Sequence, residues 1–136
     1  MPSTDEATKD TDEIRSLIAR WAEAVRAHDL RGVSADHGAD MLLFDVPPPT
    51  ELRGIDAYEK SWPQLFSWFG SRQAFEVGDI VVHAGGDVAF ATAVVRCSGE
   101  ENGKPVDIDV RLTVGLERRG GRWTVVHEHH SIPATS

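Results

Sequence analysis

Three glycine-bearing punctuations constrain this chain more than any other feature: Ala84-Gly85-Gly86-Asp87, Glu101-Asn102-Gly103-Lys104 and Arg119-Gly120-Gly121-Arg122. Each is short enough to fold the chain back on itself, so the segments on either side must pair as a hairpin. Those segments, about 74–83, 88–98, 106–117 and 122–132, are rich in β-branched residues. They predict an antiparallel meander in the C-terminal half.

The residues before it follow a helical period. Thr11 or Asp12 can cap a helix whose apolar positions, Ile14, Leu17, Ile18, Trp21 and Val25, fall on one face. Residues 1–11 then read as a disordered leader to a single domain spanning 12–136. Asp29 to Ala35 suggests a second, short helix. Met41 to Val46 reads as a compact strand stopped by Pro47, Pro48 and Pro49, with Asp45 at its end. Asp56 and Glu59 have capping-box spacing ahead of an aromatic stripe of Tyr58, Trp62, Leu65, Phe66 and Phe69, where Pro63 should bend the helix or shift its start. Helices first and strands afterwards make an α+β architecture with the helices on one face of the sheet. At 136 residues, 40% of them hydrophobic, there is apolar surface for one core.

The formal charge of -8 and the absence of a basic run argue against nucleic acid as a partner. No signal-peptide core opens the chain and no apolar run reaches membrane-spanning length, so a soluble, cytoplasmic protein is expected. Cys97 stands alone, which excludes an internal disulfide and leaves a small core residue as its simplest role.

Chemistry has few places to sit. Asp107, Asp109, Arg111 and Thr113 alternate with Val106, Ile108, Val110, Leu112 and Val114, giving one polar and one apolar face. The polar face looks either at water or into a pocket. A two- or four-residue loop at 119–122 would place Arg111 and Thr113 on one face with Val126, Glu128 and His130, pairing Arg111 with Glu128 and Asp109 with His130. A three-residue loop would bring His127 and His129 there instead. His127, His129 and His130 also invite a metal, but no carboxylate or thiolate at matching spacing completes a set, so hydrogen-bonded structural roles are expected, and no metal. His28, His37 and His83 sit in turn-like or strand-end contexts and call for no functional role. Asp45 either bonds its own backbone at a turn or faces a dry pocket, where burial would raise its pKa towards that of a useful base.

The order of elements resembles the nuclear transport factor 2-like superfamily, in particular its SnoaL-like and ketosteroid isomerase-like members. The ending Gly121-Arg122-Trp123 through His127-Glu128-His129-His130-Ser131-Ile132-Pro133 is similar to the Gly-x-Trp and His-x-His-x-Ser close of SnoaL-like and kinase-association sequences. The resemblance implies a cone: a curved antiparallel sheet on about three helices, a cystatin-like roll whose concave face lines a pocket. It also implies that Asp45, in Phe44-Asp45-Val46-Pro47, occupies the general base's position. Trp21 and Thr113 then stand where isomerases carry a Tyr and a protonated Asp, which makes authentic steroid isomerase activity doubtful. Arg111, Thr113 or His130 would steady an oxyanion, and Trp21, Trp62, Phe66 and Phe69 would wall the pocket, with Glu128 beside the ligand. The implied activity is cofactor-free isomerisation, dehydration or cyclisation of an apolar or aromatic carbonyl compound, and the alternative is a non-catalytic binding or assembly module. A homodimer through the convex face, bearing Val106, Ile108, Val110 and Leu112, is expected in either case.

Overall fold

The computed structural model describes residues 4–134. Three helices, α1 (Thr4–Arg26), α2 (Leu30–Ser34) and α3 (Ile55–Phe69), cover one curved sheet. Its strands are β1 (His37–Phe44), β2 (Leu52–Arg53), β3 (Ala74–Val77), β4 (Val81–Gly85), β5 (Val88–Glu101), β6 (Lys104–Arg119) and β7 (Arg122–Ser131). They lie in the order β2-β1-β7-β6-β5-β3, with β4 also on β5. The α+β class and the curved sheet match the expectation. The meander is antiparallel except at its far side, where β1 joins β7 in parallel.

All three punctuations are two-residue loops, since Gly85 faces Val88, Glu101 faces Lys104 and Arg119 faces Arg122. The central residues of the last, Gly120 and Gly121, both have positive φ, which glycine adopts without a steric penalty. The first predicted strand is broken after Val77. β3 and β4 pair with different halves of β5, and the Gly78 N–H bonds to the Val94 carbonyl at 2.9 Å to carry the chain across the break.

α1 begins at Thr4, so residues 4–11 are helical and not a disordered leader; residues 1–3 lie outside the described residues. Asp5 and Glu6 suit the positive end of the helix dipole. The carboxylate of buried Asp10 accepts bonds from Arg118 at 2.8 Å and the Trp123 indole at 3.3 Å, tying this first stretch to β6 and β7. Ile14, Leu17, Ile18, Trp21 and Val25 are all buried, as their spacing predicts. In α3 the capping box does not form. Gly54 is the N-cap without a side-chain bond, and Glu59 accepts from the Ser34 hydroxyl at 2.8 Å. The helix runs through Pro63. Among the described residues no helix is long and apolar enough to cross a membrane.

One irregularity decides which side chains face the helices. Near the β6–β7 turn the register is the one a two-residue loop dictates, with Glu117 opposite Thr124 and Leu116 opposite Val125. Between Gly115 and Leu116 it slips by one residue, so Val114 faces Glu128, Leu112 faces His130 and Thr113 faces His129. The extra residue, Val126, makes a β-bulge. Glu128 and His130 therefore point inward with the apolar residues of β6, while Arg111 and Thr113 stay on the convex face.

Candidate functional site

A cavity of about 350 Å³ lies between the helices and the concave face of the sheet. Its floor is Val95 and Cys97 of β5 with Ile108, Val110 and Leu112 of β6, and Trp21, Trp62 and Phe75 stand among its walls. The volume is at the lower end of the range for small-molecule pockets. Trp68 also borders it. The Trp68 ring lies against β5 where Gly99 leaves room, since a Cβ there would stand 2.4 Å from the indole.

At one end the lining turns polar. Asp45 follows β1, whose Met41 and Leu43 point into the core, so alternation turns Asp45 inward as well. Its Oδ1 lies 3.1 Å from Nδ1 of His130 and also accepts the Val46 N–H at 2.8 Å. Asp45 thus bonds its own turn and also borders the cavity. Nε2 of His130 lies 2.8 Å from Oε1 of Glu128. A ring with a carboxylate oxygen at each nitrogen donates twice, which only the imidazolium can do. Burial alone would lower the pKa of His130, but the hydrogen bonds to Asp45 and Glu128, and their charges, outweigh it and raise it to about 9.

Glu128 is the centre of the network, with its side chain 2% exposed. Besides His130 it accepts from the Tyr58 hydroxyl at 2.8 Å and from Nε2 of His37. Burial pushes its pKa up, yet the His37 charge and the bond from His130 overcome that and hold the carboxyl well below the usual range. The Tyr58 hydroxyl in turn accepts the Trp21 indole N–H at 2.9 Å. Burial first, then the Glu128 charge, raises Tyr58 well above an ordinary phenol, so it remains a donor. Among the described residues, two buried nitrogens, His37 Nδ1 and Trp62 Nε1, make no hydrogen bond.

Of the residues singled out from the sequence, Asp45, His130, Trp21 and Trp62 border the cavity. Arg111 does not: it is exposed on the convex face, with Nε 3.1 Å from the Ser131 hydroxyl. Thr113 faces His129 on that same side. Asp109 pairs with Arg96 at 3.2 Å and not with His130. Phe66 stacks on His28, ring centroids 4.4 Å apart, outside the cavity lining, and Phe69 is buried in the core. Glu128 sits behind His130 and does not itself border the cavity. The bulge explains Arg111, Thr113 and Asp109 together. It also splits the histidines: His127 bonds the Leu42 carbonyl at 2.7 Å and His129 is exposed, whereas His130 points inward. Among the described residues no three potential ligands gather for a metal. His37 and Tyr58 were not legible as partners of Glu128; their places in a turn and in an aromatic stripe carried no such signal. Cys97 is buried as expected, and burial pushes its thiol up to about 12, so it stays a neutral floor residue.

Residues 14–135 match the SnoaL-like domain family. The chain belongs to this family. A solved nuclear transport factor 2-like protein of unknown function from Pseudomonas putida KT2440 is similar at 36% identity, with a TM-score of 0.83 over 93% of this chain and 88% of that one. A nuclear transport factor 2-like protein with a cystatin-like fold from Novosphingobium aromaticivorans superposes with a TM-score of 0.82 at 19% identity, over 100% of this chain and 94% of the other. A ketosteroid isomerase-like protein from Erwinia carotovora atroseptica gives 0.75 at 18% identity, over 90% and 95%. The last two show the fold alone. The search of curated proteins gave no match. In this SnoaL-like domain the closing Trp-to-Ser segment supplies both faces of β7: His127, His129 and Ser131 outside, Glu128 and His130 inside.

Proposed function

We propose that this SnoaL-like domain binds a small apolar molecule in the cavity and moves a proton on it, with Asp45 as the base, in cofactor-independent chemistry of the isomerase, dehydratase or cyclase kind. The observation that carries the reading is the placement of Asp45. It is the carboxylate of the His37–Glu128–His130–Asp45 chain that reaches the cavity, and both of its hydrogen bonds fall on Oδ1. Oδ2 is then available to a substrate C–H. His130, fixed on Glu128, orients Asp45, and the apolar floor excludes the water that would compete for the proton. A carbon acidified by a neighbouring carbonyl is the simplest substrate for a lone base.

Solvent-deuterium exchange tests this. Planar ketones incubated with the protein in heavy water should exchange α-protons, followed by proton magnetic resonance, and Asp45→Asn should slow that exchange by about 100-fold. Equal rates for the two proteins, each shown to be folded by its melting transition, would remove Asp45 as the base. A non-catalytic binding module is the second reading. It is favoured by one specific observation: Arg111 and Thr113 lie outside the cavity and both His130 nitrogens are committed, so no expected donor stands ready for an enolate oxygen. Ligand-induced stabilisation of the protein without any exchange would select it.

We further propose a homodimer through the convex face. The residues first expected there do not form it, since Ile108, Val110 and Leu112 line the cavity. The outward face of β5 instead exposes Phe90 and Val94, at 47% and 51%. Light scattering should give the dimer mass for the wild type and the monomer mass for Val94→Arg; a wild-type monomer, or an unchanged dimer in the variant, would discard the interface.

A further inference from the structure

The charged groups around the cavity are two acids and one histidine. Among the described residues, Asp45, Glu101 and His130 are the ones that border it, and no Lys or Arg does. His130 carries a proton on each nitrogen, but both are spent on carboxylates, Asp45 on one side and Glu128 on the other. It therefore offers an incoming anion no free donor. Glu101, exposed at the cavity's border and opposite Lys104 in the β5–β6 register, receives the Trp68 indole N–H at 3.1 Å. Around these two carboxylates stand the rings of Trp21, Trp62, Trp68 and Phe75. Electron-rich rings attract cations by their quadrupoles, and indole does so best. Asp45 and Glu128 outnumber the one imidazolium they share, and Glu101 is a further acid at the border, so an apolar site with these aromatic walls favours positive over negative charge. The net charge of -8 gives the whole molecule a field of the same sign.

We infer that the cavity takes a hydrophobic organic cation, a compact ring-bearing amine or iminium compound. This deepens the proton-transfer reading and rests on it. It also removes the difficulty that the missing oxyanion donor raises. When Asp45 takes the proton from the carbon beside a C=N⁺ bond, the C–H electron pair becomes a C=C bond and the C=N π pair returns to nitrogen. The organic product is a neutral enamine and Asp45 is left protonated. No oxyanion forms, so none needs a donor. Where the carbon that loses the proton also bears a C=C bond the product is a dienamine, and return of the proton to its far end gives an iminium with the C=C bond moved into conjugation, with no co-reactant.

Isothermal titration at pH 7 and low salt with three probes of similar shape tests the inference: 1-naphthylmethylammonium, 1-naphthylmethanol and 1-naphthoate. The ammonium should bind about tenfold more tightly than the alcohol, and the naphthoate more weakly than either. In Asp45→Asn the ratio of ammonium to alcohol affinity should fall below about threefold. Alcohol or naphthoate binding as tightly as the ammonium would overturn the cation inference while leaving the cavity reading in place. An ammonium preference that survives both Asp45→Asn and Leu112→Trp, which fills the floor, would assign the binding to the acidic surface and overturn it too. Failure of all three probes to bind would overturn both readings.

Discussion

Glu128→Ala should destabilise the fold by about 3–5 kcal/mol, which for a domain of this size lowers the melting temperature by roughly 10–20 °C. The side chain accepts three bonds in a closed interior, from Tyr58, His37 and His130. Alanine would remove the acceptor and leave a phenol and two histidine rings facing a void. The cost of such a deletion lies less in the lost attraction than in the stranded partners, since an unpaired buried donor forfeits its hydration with no return. Glu128→Gln, which keeps the volume and one acceptor oxygen but loses the charge, should fall between wild type and alanine. Chemical denaturation of the three proteins checks the order. A loss under about 1 kcal/mol for alanine would show that Glu128 does not hold the network together.

How much of this was legible beforehand follows from how locally each feature is encoded. The buried face of α1, the three turns and the succession of helices before strands rest on spacings within a few residues, and these emerged as read. The start of α1, the cap of α3 and the break in the 74–83 strand did not. The turn at 119–122 even gave the right register for the residues next to it. What failed was propagating that register along β7. Val126 adds one residue exactly where β7 must serve two neighbours, and the pairing with β1 slips over the same stretch, between His37 and Leu42. No pattern within β7 announces it, because the demand comes from a strand some 85 residues earlier in the chain, as the His127 bond to Leu42 shows. Arg111 and Thr113 were consequently assigned to a face they do not occupy.

Glu128 illustrates the same limit from the other side. It was expected beside the ligand with Arg111 as its partner, whereas it is buried behind His130 on partners 70 and 91 residues away, Tyr58 and His37, which make that burial tolerable. Asp45 was recognisable because its signal was local: an acid ending an apolar strand before three prolines, with Met41 and Leu43 fixing the inward phase.

The stability of this domain should decline on the alkaline side of pH 6.5, earlier than a protein without such a network. The His130 pKa is raised from 6.5 in an unstructured chain to about 9 in the fold, so the folded state holds this proton more tightly. The stabilisation is complete below about pH 6.5, is lost progressively as pH rises, and is gone above about pH 9. Its size is on the order of 3 kcal/mol, with little reduction for solvent because the side chain is only 11% exposed. Glu128 acts in the opposite sense. Its pKa is depressed in the fold, so its contribution is present above the ordinary carboxylate range near pH 4.5 and is lost only as strong acid protonates it. The two together put the network's greatest contribution between about pH 4.5 and 6.5. Urea denaturation midpoints at pH 5.5, 7.5 and 9 for the wild type and His130→Gln separate this limb from the titration of other groups. The difference between the two proteins should shrink towards pH 9. If it stays constant or grows, His130 is not held as an imidazolium between Asp45 and Glu128, and the charge distribution of the cavity would have to be redrawn with a free donor at that end.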